Sequence, residues 1–150
     1  MSENNQETAQ VGLSIQKIYL KDCSFEAPNS PAVFTQQIET SFKINIDIEH
    51  SVLDEKEGLY EVVLPVTVKA ENDKGAAFLV EVMQAGVFQI TGVGDEFLEQ
   101  VLEINCADIL LPYARQTISS LSTSGGFPQL LINPVNFAVL YEQRHGSAES

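Results

Sequence analysis

The chain has 150 residues, 44% of them hydrophobic, which suits one domain with its own apolar core. Eight Lys and Arg against 21 Asp and Glu give a formal net charge of -13, which repels phosphate backbones and anionic headgroups and so excludes nucleic acid and membrane surfaces as partners. The same field favours a basic protein segment or a cation, and it keeps a sticky surface in solution.

Residues 1–11 read as a polar, disordered leader without the apolar core of a signal peptide. No uninterrupted apolar run approaches the about 18 residues of a membrane span, so a cytoplasmic protein with no membrane insertion is expected. Residues 12–143 read as one folded domain and residues 144–150 as a short disordered tail.

Leu13 to Glu26 has strand spacing, with Tyr19, Cys23 and Phe25 on one face and Asp22, Ser24 and Glu26 on the other. The stretch that follows, within DCSFEAPNSPAVF, cannot continue the strand, because Pro28 and Pro31 remove backbone donors and fix φ. Phe25, Val33 and Phe34 nevertheless make it too apolar for an idle loop. A second strand, Phe42 to Glu49, alternates cleanly, with Phe42, Ile44, Ile46 and Ile48 inward. SVLDEKEG signals a turn holding His50, and Leu59 to Glu71 forms a third strand in which Pro65 suggests an edge or a bulge. ENDKG makes a tight hairpin into a fourth strand, Ala76 to Ile90, with Gly86 as a bulge or bend.

Short turns make strands two, three and four antiparallel neighbours, whereas about fifteen residues separate strands one and two, too many for a hairpin. Strand one is free to pair with strand four. The predicted fold is α+β: a four-stranded antiparallel sheet in the order 2-3-4-1, a Greek-key-like crossover, and C-terminal helices on one face. Strand four carries Phe78, Val80, Val82 and Phe88 on its even side and Leu79, Met83 and Val87 on its odd side, more apolar surface than a half-buried strand needs. Self-association is the expected use of that excess.

Beyond Gly92 the period becomes helical. Asp95 is the predicted N-cap of a helix bearing Phe97, Leu98, Val101 and Leu102. Pro112 is placed in the first turn of a second helix that runs to about Thr123 and ends at Gly125 and Gly126. Asn133 and Pro134 are read as the start of a third, bearing Phe137, Leu140 and Tyr141.

Little in the sequence points to catalysis. His50 and His145 have no metal-ligand spacing with each other or with a cysteine, so no metal or other cofactor is expected. Cys23 and Cys106 read as free thiols, and the acidic surroundings of Cys106, EINCADIL, oppose a nucleophilic thiolate. TGVGDE is a strand-to-helix turn without the rest of a phosphate-binding motif. No catalytic residue is assigned. What remains is an apolar groove formed by the crossover, strand two and the last helix, beside an acidic face of Asp22, Glu26 and Glu81 that suits a basic partner.

IYLKDCSFEAPNSPAVF, LYEVVLPVTV, FLVEVMQAGVFQITG, LLPYARQTISSL and GGFPQLLINPVNFAVLY together resemble SecB, the bacterial export chaperone family. The resemblance implies a homotetramer, a dimer of dimers, that holds secretory preproteins unfolded and delivers them to the SecA motor of the Sec translocon. It places Asp22, Glu26, Leu79 and Glu81 on the SecA-docking surface and ties Val80, Val82 and Gln84 to tetramer assembly. It places Phe25, Pro28, Pro31, Val33, Phe34, Ile44, Ile46, Ile48 and Leu140 at the client groove. The chain departs from the family pattern at Leu111, commonly Phe before PYAR, at Pro65, and in a short tail with one carboxylate after Glu142. Two other functions are weighed: a SecB-like chaperone serving a toxin-antitoxin pair, and a small-molecule-binding domain, for which no convergent polar set is found.

Overall fold

The sheet is antiparallel throughout and, among the described residues, has five strands where the sequence predicts four: β1 (Gly12–Glu26), β2 (Ser41–Ile46), β3 (Glu49–Asp54), β4 (Leu59–Asn72) and β5 (Gly75–Thr91). The computed structural model describes residues 12–36 and 39–146, so the leader 1–11 and the last tail residues, 147–150, lie outside the described residues. Strand order is β1-β5-β4-β2, with β3 also pairing β4. This is the predicted order, with the second predicted strand, Phe42 to Glu49, broken after Ile46 and continued past Glu49 into the predicted turn as β3.

Pro65 divides it. Ile46 opposes Val66 and Glu49 opposes Val63, so the register of β2 continues into β3 without a slip. At the break, the Asp47 amide donates to the Pro65 carbonyl at 3.0 Å. In an extended antiparallel pair a residue's N–H and C=O point to the same side, so the N–H that proline lacks is the one this neighbour needed. Asp47 Oδ1 instead accepts the Ile48 amide at 2.8 Å. Pro65 therefore sits in a central strand and interrupts the strand beside it, instead of marking an edge. The predicted SVLDEKEG turn shortens to residues 55–58, closed by Gly58 at φ +70°, and His50 stands on a strand instead.

Gly86 is not a bulge. Its ladder with β4 is regular, and a Cβ there would meet the Phe88 ring at 2.8 Å, so the glycine makes room for that ring. Register shifts fall in β1, between Ile15 and Lys17 and between Leu20 and Asp22, with others at Val52/Asp54 in β3 and at Ala70/Glu71 in β4.

The even positions of β4 and β5 form one buried face, with Val62, Leu64, Val66, Val80 and Phe88 all 0% exposed. Helices cover that face. α1 (Asp95–Gln100) passes through a π-turn (Val101–Asn105) directly into α2 (Cys106–Ser124), so the two predicted helices are one rod. Gly94, not Asp95, is the N-cap, and Pro112 lies within α2, not in a first turn. A proline there removes a bond to the Asp108 carbonyl and costs about 3 kcal/mol in an exposed helix. Burial of Cys106, Ala107, Leu110, Ala114 and Ile118 on one stripe offsets it. α3 (Phe137–His145) begins three residues later than predicted, because Asn136 caps it: Asn136 Oδ1 accepts the Val139 amide at 3.1 Å. It includes Arg144, which the sequence reading assigns to the tail and which pairs with Asp47 at 3.1 Å.

Both cysteines are free, Cys23 exposed and Cys106 buried. Burial, not neighbouring carboxylates, pushes the Cys106 thiol up to about 12. One thiol per native chain is therefore expected to react with an aromatic disulfide reagent and two in guanidinium chloride, with Cys23→Ser abolishing the native reaction.

Candidate binding surfaces

The crossover between β1 and β2 is held as a folded loop. The Val33 amide donates to the Asn29 carbonyl at 2.9 Å, the Phe34 amide to Pro31 at 3.0 Å, and Asn29 Nδ2 to the Ala76 carbonyl at 2.8 Å. Ala32–Thr35 forms a single 3-10 turn that starts from Pro31. Its rings close on the end of α2, where the chain has no side chains to obstruct them. A Cβ at Gly125 would lie 2.2 Å from the Phe25 ring, and one at Gly126, at φ +94°, 2.9 Å from Phe34. The two glycines that end the helix thus also admit two phenylalanines.

Five rings result. Phe78 stands 4.7 Å from Phe127 between ring centroids and 5.7 Å from Phe25, and Phe34 lies 5.2 Å from Phe127, with Phe42 6.4 Å from Phe78. Beside them opens a groove of about 390 Å³, walled by Val33, Phe34, Phe42, Phe78, Phe127 and Leu130, among others. Phe34 and Phe42 are each 48% exposed and Ile44 40%.

Of the residues the sequence assigns to the groove, Val33 and Phe34 line it. Phe25 is half-buried behind them, where it supports the wall. Pro28 and Pro31 are exposed on the loop that carries the wall, and Ile44 continues the apolar strip along β2. Ile46 is half-buried and Ile48, 4% exposed, belongs to the core; Leu140 packs on the core through α3, away from the groove lining. Sequence reading missed Phe42, Phe78, Phe127 and Leu130 as lining. The signal was GGFP: a helix stop followed at once by an aromatic residue has to place that ring near the helix end.

The outer face of the sheet has another character. Glu81 opposes Ser24, and Leu79 opposes Glu26, while Asp22 opposes Met83, so the predicted docking residues share one exposed surface on β1 and β5. Lys21 does not neutralise it: its Nζ lies 2.9 Å from Glu61 Oε2, to which the Tyr19 hydroxyl also donates. The Tyr19 bond, reinforced by Lys21 against the effect of burial, holds the Glu61 carboxyl below the usual carboxylate range. Burial and Glu61 push the Tyr19 hydroxyl up to about 12. Lys43 and Lys69 are engaged with Glu71, at 3.6 and 2.8 Å. Asp22, Glu26 and Glu81 have no ion-pair partner among the described residues.

Val80, Val82 and Gln84 lie on the opposite, helix-covered face, 0%, 1% and 3% exposed, with Gln84 Nε2 donating to the Tyr19 carbonyl at 3.0 Å. In one chain these side chains meet their own helix and strand.

The family model for preprotein translocase subunit SecB matches residues 5–148. The chain is 45% identical to a protein-export protein SecB of Nitrosococcus oceani, over 97% of this chain and 92% of that one. It is 46% identical to that of Legionella pneumophila strain Corby, over 93% and 85%. Among solved structures, the SecB-like chaperone of Mycobacterium tuberculosis, in complex with a ChAD peptide from the HigA1 antitoxin, matches with TM-score 0.68 at 14% identity, over 82% of this chain and 90% of that one.

Proposed function

The chain belongs to the SecB family of protein-export chaperones, and from that premise we propose that it is an ATP-independent holdase whose aromatic groove takes apolar segments of unfolded secretory preproteins. The observation that carries this reading is the groove of about 390 Å³ that stays open beside five phenylalanine rings. Each leucine- or phenylalanine-sized client side chain seated there gains about 1.5–3 kcal/mol from desolvation, with little demand on sequence. Contacts so weak hold a client only when several act together, which a homotetramer built as a dimer of dimers provides.

Exposed Ile15, Leu20, Phe97 and Tyr113 supply apolar surface for such assembly. The uncompensated carboxylates Asp22, Glu26 and Glu81 suit delivery to a basic segment of SecA. A cytoplasmic site of action fits a chain in which no helix among the described residues is long and apolar enough to cross a membrane. Identity of 45% to an export protein against 14% to the antitoxin-bound chaperone supports export over a toxin-antitoxin role.

Size-exclusion mass measurement tests the reading. The expected result is a particle of four 16.5-kDa chains that retains an unfolded secretory protein and releases it when SecA is added. A particle that retains no client removes the function.

A further inference from the structure

Both histidines of the chain converge on one buried carboxylate. Glu103, in the π-turn, is 3% exposed. Its Oε2 lies 3.1 Å from His50 Nε2 on β3, and its Oε1 lies 3.1 Å from His145 Nε2 at the end of α3. Glu99, one turn earlier on the same rod, has Oε1 3.8 Å from His145 Nδ1. Ligand atoms of His50, Glu99 and Glu103 all lie within 4.8 Å of one another.

A carboxylate this far from water needs a compensating charge. No lysine or arginine among the described residues pairs with Glu103, and the nearby Arg144 is taken by Asp47 at 3.1 Å. A neutral imidazole contributes a hydrogen bond and no charge. A dication contributes both charge and coordination, and it would cancel the two negative charges of Glu99 and Glu103.

The donor set and its spacing match a particular class of ion. An imidazole nitrogen with two carboxylates suits Zn²⁺ and its first-row neighbours, whereas Mg²⁺ and Ca²⁺ prefer oxygen alone. With tetrahedral bonds of about 2.0–2.1 Å, neighbouring donors around Zn²⁺ stand about 3.3 Å apart. His50 Nε2 and Glu103 Oε2 stand 3.1 Å apart, close to that value, and the ligand atoms of His50, Glu99 and Glu103 lie within 4.8 Å of one another. Tyr141 packs tilted against the His145 ring, with centroids 4.2 Å apart, and so holds that outer partner in place. The His50 and His145 side chains are 28% and 35% exposed, which leaves an entry path from solvent.

We propose that His50, Glu99 and Glu103 form a site for a first-row divalent cation of the Zn²⁺ type, with His145, against both carboxylates, as their outer partner. Occupied, it ties β3 directly to the long rod and, through the His145 bond to Glu103, holds the end of α3. The three elements are otherwise joined here by hydrogen bonds at partly exposed positions.

Calorimetric titration of chelator-stripped protein with ZnCl₂, with thermal unfolding run in parallel, tests the site. The expected result is one saturable Zn²⁺ per chain, a raised thermal midpoint, and no competition from excess MgCl₂. His50→Gln and His145→Gln keep a neutral donor for Glu103 but lose the imidazole, so each should fold with the metal-free midpoint of the parent. His50→Gln, which loses a ligand, should bind Zn²⁺ at least about 100-fold more weakly, and His145→Gln, which loses an outer-shell partner, about 10–100-fold more weakly. Absence of one-to-one binding, or unchanged affinity in either variant, overturns the assignment.

Discussion

Phe34→Ala is expected to weaken binding of an unfolded client about tenfold while leaving the thermal midpoint nearly unmoved, and Phe25→Ala is expected to act mainly on stability. The two rings belong to one wall but do different work. Phe34 is 48% exposed and lines the groove, so half of its surface is available for a client to cover. Losing that contact removes about 1–1.5 kcal/mol at about 25 cal/mol per Å², and 1.4 kcal/mol is tenfold in affinity. Phe25 lies behind it, stacked on Phe78 at 5.7 Å and pressed against Gly125. Its truncation leaves a hole beneath the end of α2 and costs about 3 kcal/mol, several degrees in a domain of this size. Fluorescence anisotropy with a labelled unfolded preprotein measures the first effect and thermal unfolding the second. A tetrameric Phe25→Ala, Phe34→Ala double variant with parental client affinity would move the binding site elsewhere.

Glu81→Lys is expected to reduce SecA affinity by tenfold or more at low salt, with the difference fading as ionic strength rises. The substitution changes the local charge by two units in a patch where Asp22 and Glu26 are also unpaired, and each exposed contact charge is worth about 1 kcal/mol. Screening shortens from about 10 Å at 0.1 M salt to about 3 Å at 1 M. Client binding should not change, because Glu81 faces away from the helix-covered side on which the groove opens. Surface plasmon resonance across a salt series separates the two partners. Motor affinity that is the same at every salt concentration would sink the electrostatic account.

What could be read from the chain was what strict period and turn chemistry dictate. Phe42, Ile44, Ile46 and Ile48 alternate, ENDKG closes a two-residue hairpin, and the long first connection leaves one place for β1, so strand order followed. The rest depended on approach between distant segments. Pro65 looked like an edge residue because a sequence does not say which side of the strand its missing N–H would face. Pro112 looked like a helix start because local propensity cannot weigh the apolar stripe of Cys106 to Ile118 against one lost hydrogen bond. Gly125 and Gly126 were legible as a helix stop and not as a seat for Phe25 and Phe34. His50 and His145 lie 95 positions apart, and only the fold brings them to Glu103.

The gap beside Pro65 makes the sheet unequally compliant. Six residues of β2 hang on β4 as a separate flap, and that flap bears Phe42 in the groove wall and the exposed Ile44 two residues on. β3, beyond the gap, is clasped independently near the rod. Peeling the flap breaks a short ladder and leaves its neighbour closed. One jaw can therefore yield to clients of differing girth while the opposite jaw, Phe34 on Phe127, keeps its shape.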